Sequence, residues 1–231
     1  MSLRTKTMWG SLGLILWTHA GYPAALGLLA ARRRAPSAAD PASTPSVALI
    51  IAAHNEEAVI RERLENALAL DYPGLEVIVT LDGSDDATRA IAEEFAGVTV
   101  LDNPRGGKVA AQNAAVRATA AEIVAFSDAN SLWAPDALRR LVARLADPTV
   151  GYVCGRLELV DPASGANVEG VYWRYELWQR EQESVLGSIT AGNGAIYAVR
   201  RSAYVELGAG QSHDIGLPFR LRRAGLRAVY E

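Results

Sequence analysis

The nine residues from Glu122 to Asn130, E-I-V-A-F-S-D-A-N, limit what this chain can fold into more than any other stretch. Ile123 to Phe126 is a short unbroken apolar run, the pattern of a central strand buried on both faces, and it stops abruptly in Ser127, Asp128 and Asn130. A strand that ends in a carboxylate and an amide delivers them to the crevice where open α/β sheets bind ligands. Oxygen ligands at Asp128 and Asn130 suit a hard cation such as Mg2+ or Mn2+, which in turn suits a diphosphate. For S-D-A-N in isolation, the simpler reading is an Asp128 that caps the turn before a helix near Pro135. The neighbouring segments decide between the two.

Val47 to Ala53 reads as another buried strand, ending in His54-Asn55-Glu56-Glu57 ahead of an amphipathic helix with Val59, Ile60, Leu64 and Leu68 on its apolar side. Here Asn55 and Glu57 either line the crevice or serve only as helix cap and first-turn acid. Leu75 to Leu81 is a second strand, ending in Asp82-Gly83-Ser84-Asp85-Asp86, where Asp85 or Asp86 opens a helix running to about Phe95. A strand, helix, strand order implies a parallel pair with a right-handed crossover, so the Asn55 and Asp82 clusters are expected to be neighbours. A third strand, Val98 to Leu101, precedes Gly106-Gly107-Lys108 at a helix start, where backbone amides and an ammonium can meet phosphate. It is not a P-loop, because the G-x-x-x-x-G-K-[ST] spacing is absent; G-G-K alone also suits a flexible turn.

Downstream, a helix is expected from Pro135 to about Ala146, a strand from Val150 to Val160 and a turn at Asp161 to Gly165. A helix then carries Tyr172, Trp173, Tyr175 and Trp178, aromatics that suit either core packing or stacking on sugar rings. Gly192-Asn193-Gly194, before a strand from Ile196 to Val199, marks a close backbone approach or an ordinary turn. Ser212-His213-Asp214 opens a helix from Ile215 to about Ala224, with Ser212 or Asp214 as cap, and Leu226 to Tyr230 starts a last strand. The fold class is α/β with a mostly parallel sheet.

The 231 residues carry a net charge of −3, so nothing in the overall charge points to nucleic acid as a partner. The single cysteine, Cys154, cannot form an internal disulfide, fits a reducing compartment, and reads as a packed strand thiol. Met8 to Ala31 holds no formally charged residue and is followed by Arg32, Arg33 and Arg34. Roughly 20 apolar residues cross a bilayer; the alternative is a cleaved signal peptide, for which the run is long, and the arginines read as a stop-transfer flank facing the cytoplasm, against Arg4 and Lys6 on the other flank. The expected organisation is an anchor at residues 1–34, a Pro/Ala/Ser linker at 35–46 and one α/β domain at 47–231.

Taken in order, these motifs make the chain resemble a family 2 inverting glycosyltransferase of GT-A fold, over essentially all of Ser46 to Glu231, and in particular the membrane-bound bacterial exopolysaccharide synthases. The resemblance implies that A-A-H-N-E-E, with Ala53, Asn55 and Glu57, contacts the nucleoside of a nucleotide-sugar donor, and that Asp82 of L-D-G-S-D-D faces its uracil. It implies that Lys108 lies near ribose and phosphate, that S-D-A-N occupies the place of the D-x-D metal motif, and that Gly192, Asn193, Gly194 and His213 lie toward the acceptor. It makes Asp214 the catalytic base, the cofactor Mg2+ or Mn2+, the acceptor a saccharide or a lipid-linked group, and the location the inner membrane with the catalytic domain toward the cytoplasm.

Three departures stand out. Asn130 replaces the second aspartate of D-x-D, His213 replaces the acid usual before the base, and the Q-x-x-R-W segment and C-terminal membrane helices are missing, so a fragment or a short relative is expected. A non-catalytic nucleotide-sugar-binding remnant is the competing reading. A dinucleotide enzyme is disfavoured because no G-x-G-x-x-G follows the first strand.

Overall fold

The computed structural model describes residues 2–33, 44–159, 167–168, 170–208 and 210–231. Seven strands form one sheet: β1 (Val47–Ala53), β2 (Glu76–Asp82), β3 (Val98–Asn103), β4 (Ile123–Asp128), β5 (Val150–Cys154), β6 (Tyr197–Arg200) and β7 (Arg227–Tyr230). The helices are α1 (Leu3–Leu16), α2 (Tyr22–Ala30), α3 (Ile60–Leu68), α4 (Thr88–Glu93), α5 (Lys108–Ala118), α6 (Ala137–Leu145), α7 (Val171–Leu186) and α8 (His213–Arg223). The strand order is β3-β2-β1-β4-β6-β5-β7; β1 to β4 are parallel, and β6 alone runs against its neighbours. The chain works outward from β1 to β3 and returns to the other side of β1 for β4. The strand order therefore reverses between β1 and β4, which opens a crevice at their C-terminal ends.

Strand β1, V-A-L-I-I-A-A, shows why the sheet is covered twice, because alternate residues feed opposite cores. Leu49 and Ile51 pack with Ile60 and Leu64 of α3 and Leu138 and Leu141 of α6. Ala48 and Ile50 pack with Phe126, with Ala115 of α5, Leu177 of α7 and Leu217 of α8. Each large aliphatic side chain buried this way contributes about 1.5–3 kcal/mol, which fixes the register because a one-residue slip would exchange the two faces. In that register Ala52 lies opposite Asp128, and Ala53 opposite Leu81.

Several boundaries differ from those expected. Strands β2 and β4 extend to Asp82 and Asp128, so each carboxylate is the last residue of its strand. β5 ends at Cys154 instead of Val160: Gly155 still donates to the Ile196 carbonyl at 2.9 Å, Arg156 to that of Glu231 at 2.9 Å, and then the chain leaves the sheet. Helix α3 starts at Ile60, so Asn55 does not cap it. α4 starts at Thr88, whose N–H donates to Asp86 Oδ1 at 2.9 Å. Arg34, most of the linker (residues 35–43) and the turn at Asp161 to Gly165 lie outside the described residues.

Helices α1 and α2 join through a π-helical turn, Trp17–Gly21, into one helix from Leu3 to Ala30, long and apolar enough to cross a membrane. The π turn has a local cause: Pro23 lacks an N–H and its ring crowds the carbonyl four residues back, so the ladder widens just before it. None of α1 or the π turn is buried, whereas Pro23, Leu26 and Ala30 of α2 are. They pack on α7, where Trp178 lies so close to Gly27 that an added Cβ would stand 3.2 Å from its ring. Tyr22 donates to Glu183 at 2.8 Å, and Trp173 Nε1 to the Leu157 carbonyl at 3.1 Å. The aromatic helix is thus a saddle for the N-terminal helix.

Candidate active site

At the strand reversal, Asp128 projects from the end of β4, and the ammonium of Lys108, first residue of α5, ion-pairs with it. Lys108 is placed by Gly107, whose φ of +90° only glycine adopts readily. Gly194 closes the corner: a Cβ there would stand 3.2 Å from Lys108 Nζ and 3.7 Å from Asp128 Oδ2. Asn130, two residues beyond Asp128, is exposed.

The β1 and β2 ends meet as expected and are laced together. Asn55, at φ +56°, donates through Nδ2 to Asp85 at 2.6 Å and accepts from the Asp85 N–H at 3.0 Å. The Glu57 N–H donates to Asp86 at 3.1 Å, and Glu57 Oε2 accepts from Ala87 at 3.0 Å. Asp82 is buried at the base of the G-G-K loop. Its Oδ1 accepts the N–H groups of Gly106 and Gly107 at 2.7 and 2.8 Å, and Arg105 pairs with its Oδ2 at 3.0 Å. Asp82 therefore aims the loop that carries Lys108. Ala53 is buried beside these groups at the end of β1.

Asn193 turns inward and organises the loop it sits in. Its Oδ1 accepts from Ala195 and Ile196, both at 3.0 Å, and its Nδ2 donates to the Gly155 carbonyl at 2.9 Å and to Cys154 Sγ at 3.2 Å. Cys154 is the packed strand thiol expected, its pKa pushed up to about 12 by burial. Gly192 has to be glycine, because a Cβ would fall 2.2 Å from the Tyr152 hydroxyl. The Gly192 N–H donates to the carbonyl of Asp214 at 2.8 Å, which ties this loop to the first turn of α8. Ser212 makes no side-chain cap there, and Asp214 Oδ1 accepts the Ile215 N–H at 3.2 Å.

His213, beside Asp214, is buried in an aromatic box. Nδ1 meets the Tyr197 hydroxyl at 2.7 Å, Nε2 meets that of Tyr204 at 3.1 Å, and the Phe126 ring stands edge-on at 5.3 Å. Burial, aided by the Lys108 charge and opposed by Asp214, lowers its pKa to about 4, so the ring is neutral at pH 7. Gln112 donates to the Tyr197 hydroxyl at 3.2 Å, and Tyr204 donates to Asn113 at 2.6 Å. One network therefore links α5, which carries Lys108, to α8, which carries Asp214.

Two supports escaped the sequence reading. Arg63, fully buried on α3, donates to Ser127 at 3.1 Å and to Asn66 at 2.6 Å and lies 5.4 Å from the Trp133 ring; burial lowers its pKa to about 10. Asn66 bonds the backbone N–H and carbonyl of Trp133, each at 2.9 Å, and Trp133 Nε1 donates to the Ala195 carbonyl at 3.0 Å. This chain braces the Asp128 strand end and the Asn193 loop from beneath. The signal was available: Arg63 lies three residues after Ile60 and four before Ala67, on the buried face of its helix.

No group of three or more His, Cys, Asp or Glu side chains able to hold a metal occurs among the described residues. Asp128 is partly exposed, and its partner is a flexible ammonium. A lone carboxylate with a nearby amide does not make a cage for a free cation, but it fits one held chiefly by substrate phosphates. The arrangement thus fits a divalent ion that arrives together with a diphosphate.

Residues 48–208 match the family model for glycosyl transferase family 2. The beta-monoglucosyldiacylglycerol synthase of Trichormus variabilis is 32% identical over 92% of this chain and 49% of its own length. The mannosyltransferase PcManGT of Pyrobaculum calidifontis, solved with GDP-Man and Mn2+, superposes with a TM-score of 0.78 at 28% identity, covering 94% of this chain and 64% of that one. Glucosyl-3-phosphoglycerate synthase of Mycobacterium tuberculosis, solved with Mn2+, UDP and phosphoglyceric acid, gives 0.57 at 26% identity, covering 80% and 67%. The chain spans about half the length of the curated relative.

Proposed function

Since the chain belongs to glycosyl transferase family 2, we propose that it transfers a sugar, with inversion, from a nucleotide-sugar donor to a saccharide or lipid-linked acceptor. The observation that carries this reading is the convergence of Asp128, Lys108 and Gly194 at the strand reversal, joined through Gly192 to Asp214. The donor is taken to be UDP-linked, with Ala53, Asn55, Glu57 and Asp82 on the nucleoside side. UDP is bound in the Mycobacterium tuberculosis structure and GDP-Man in the Pyrobaculum calidifontis one, so competition between UDP and GDP for binding to this chain tests the choice of base.

Asp128, with Asn130, would hold Mg2+ or Mn2+ against the diphosphate, and that ion would neutralise charge on the leaving group. Lys108 lies where its ammonium can exchange the Asp128 carboxylate for a phosphate oxygen. Asp214 takes the proton from the acceptor hydroxyl as the oxygen attacks the anomeric carbon, a general-base contribution of roughly 10²- to 10⁴-fold. A single displacement inverts the centre, so an α-linked donor gives a β-glycoside. Gly192, Asn193, Gly194 and His213 shape the acceptor side, and the helix from Leu3 to Ala30 anchors the protein in the inner membrane, with Arg32 and Arg33 and the catalytic domain on the cytoplasmic side.

The test is Asp214→Asn in the membrane-embedded chain, with product formation and UDP binding measured together. Asparagine keeps the helix-start chemistry, so UDP affinity should be unchanged while transfer falls by at least roughly 10²-fold. Transfer at the wild-type rate would remove Asp214 from the mechanism.

A further inference from the structure

The face of α8 opposite its core contacts carries Ile215, Phe219, Arg222 and Arg223, spaced i, i+4, i+7 and i+8, so they form a single stripe. All four are exposed, whereas Leu217, Pro218 and Leu221 are buried on the other side. Two exposed apolar residues beside two arginines, on the helix that carries Asp214, call for a partner.

The N-terminal helix says where that partner lies. Its free part is the 14 residues of α1 and the five of the π turn, none of them buried. At 1.5 Å per residue this is about 28 Å, and Arg4 and Lys6 occupy its first turn or two. A hydrocarbon core of about 30 Å therefore reaches past Gly21 onto the first turns of α2. Those turns are docked on the domain: Tyr22 and Leu26 share a cleft of about 370 Å3 with Leu186, Pro218, Phe219 and Arg222. Phe219 thus stands at the depth where the helix leaves the bilayer. Arg32 and Arg33, just beyond α2, add exposed positive charge on the same side of the boundary.

We propose that the Ile215, Phe219, Arg222 and Arg223 face of α8 rests in the headgroup layer of an anionic bilayer, beside the N-terminal span. The apolar pair enters the boundary between headgroups and acyl chains, while the arginines meet lipid phosphates from above. This rests on reading Leu3 to Ala30 as membrane-spanning. Its consequence is that the helix bearing Asp214 is held against the membrane surface, within reach of an acceptor presented there.

The test uses the full chain in vesicles of phosphatidylglycerol and phosphatidylcholine. Nitroxide labels are placed at Leu12→Cys in the span, Phe219→Cys on α8 and Glu65→Cys on α3, with the native chain, whose Cys154 is buried, as the labelling blank. Collision with oxygen, which enters the bilayer, is compared with collision with a water-soluble nickel chelate. The expected result is oxygen preference at residue 12, an intermediate ratio at 219 several-fold above that at 65, and loss of the 219 signal when Arg222→Gln and Arg223→Gln are combined or phosphatidylglycerol is omitted. Oxygen preference at 12 with chelate access at 219 equal to that at 65 would overturn the proposal while leaving the span intact. Shielding of 219 from both reagents would overturn it in favour of a protein partner, and chelate access at 12 would show that the span reading itself had failed.

Discussion

Replacing Asn193 by alanine separates a loop organiser from a group that reaches for the acceptor. The residue is 9% exposed, and its side chain makes four hydrogen bonds, two accepted from the Ala195 and Ile196 N–H groups and two donated to Gly155 and Cys154. Truncation strands the two backbone donors in a buried loop, and each unsatisfied group costs about 1–3 kcal/mol, so with partial relaxation the loss should be about 3 kcal/mol. In a domain of this size 1 kcal/mol moves Tm by about 2–4 °C, giving a fall of about 6–12 °C by circular dichroism or calorimetry. Because Gly194 lies against Lys108 and Asp128, the displaced loop should also weaken UDP binding in the presence of Mn2+. A variant whose Tm lies within about 2 °C of wild type, a span equivalent to 1 kcal/mol or less, would refute this reasoning. If that variant also lost transfer, Asn193 would be an acceptor contact instead.

Asp128→Ala should abolish most of the gain in UDP affinity that Mn2+ brings, a loss of roughly 10- to 100-fold by calorimetry, since charge-assisted contacts contribute about 1.5–3 kcal/mol; equal affinities with and without the ion in both proteins would reduce S-D-A-N to a turn. Neither protein should bind Mn2+ tightly before nucleotide is added, and a strong manganese spectroscopic signal from the nucleotide-free chain would contradict a phosphate-completed site. His213 should make the fold acid-sensitive: its pKa is lowered from 6.5 to about 4, so the unfolded chain takes up the proton first. This contribution is complete above about pH 6.5 and is lost as pH falls toward 4, by up to roughly 3 kcal/mol, and His213→Gln should flatten that part of the Tm-against-pH curve; parallel curves would show that the ring is not held neutral.

The backbone frame was legible because β1 and β4 are buried on both faces and their sequences admit little else. The common direction of β1, β2 and β4 then forced Asn55, Asp82 and Asp128 to one edge, since parallel strands end on the same side. The length of β5 was misread because Gly155, Leu157 and Leu159 continue a loose apolar alternation, while the pairing that would show where the sheet stops involves Ile196 and Glu231, distant in sequence. Asn193 was picked out by its glycine neighbours, but an asparagine between glycines reads the same whether its amide points into solvent or, as here, toward Cys154.

The aromatic box shows the same boundary from the other side. His213 stood out as an imidazole before the expected base, and a histidine next to a carboxylate invites a reading in which one charge tunes the other. The structure gives its ring nitrogens to Tyr197 and Tyr204, which reach it through β6 and the loop that follows. The neutral imidazole, hydrogen-bonded at both nitrogens, tethers the first residue of α8, next to Asp214, and the same hydroxyls connect to Gln112 and Asn113 on α5. Lys108, proposed to meet the donor phosphate, and Asp214, proposed as the base, are therefore carried on two helices that one polar network ties together. Such a network holds them firmly only while every member is satisfied, so losing one hydroxyl should shift both helix starts together.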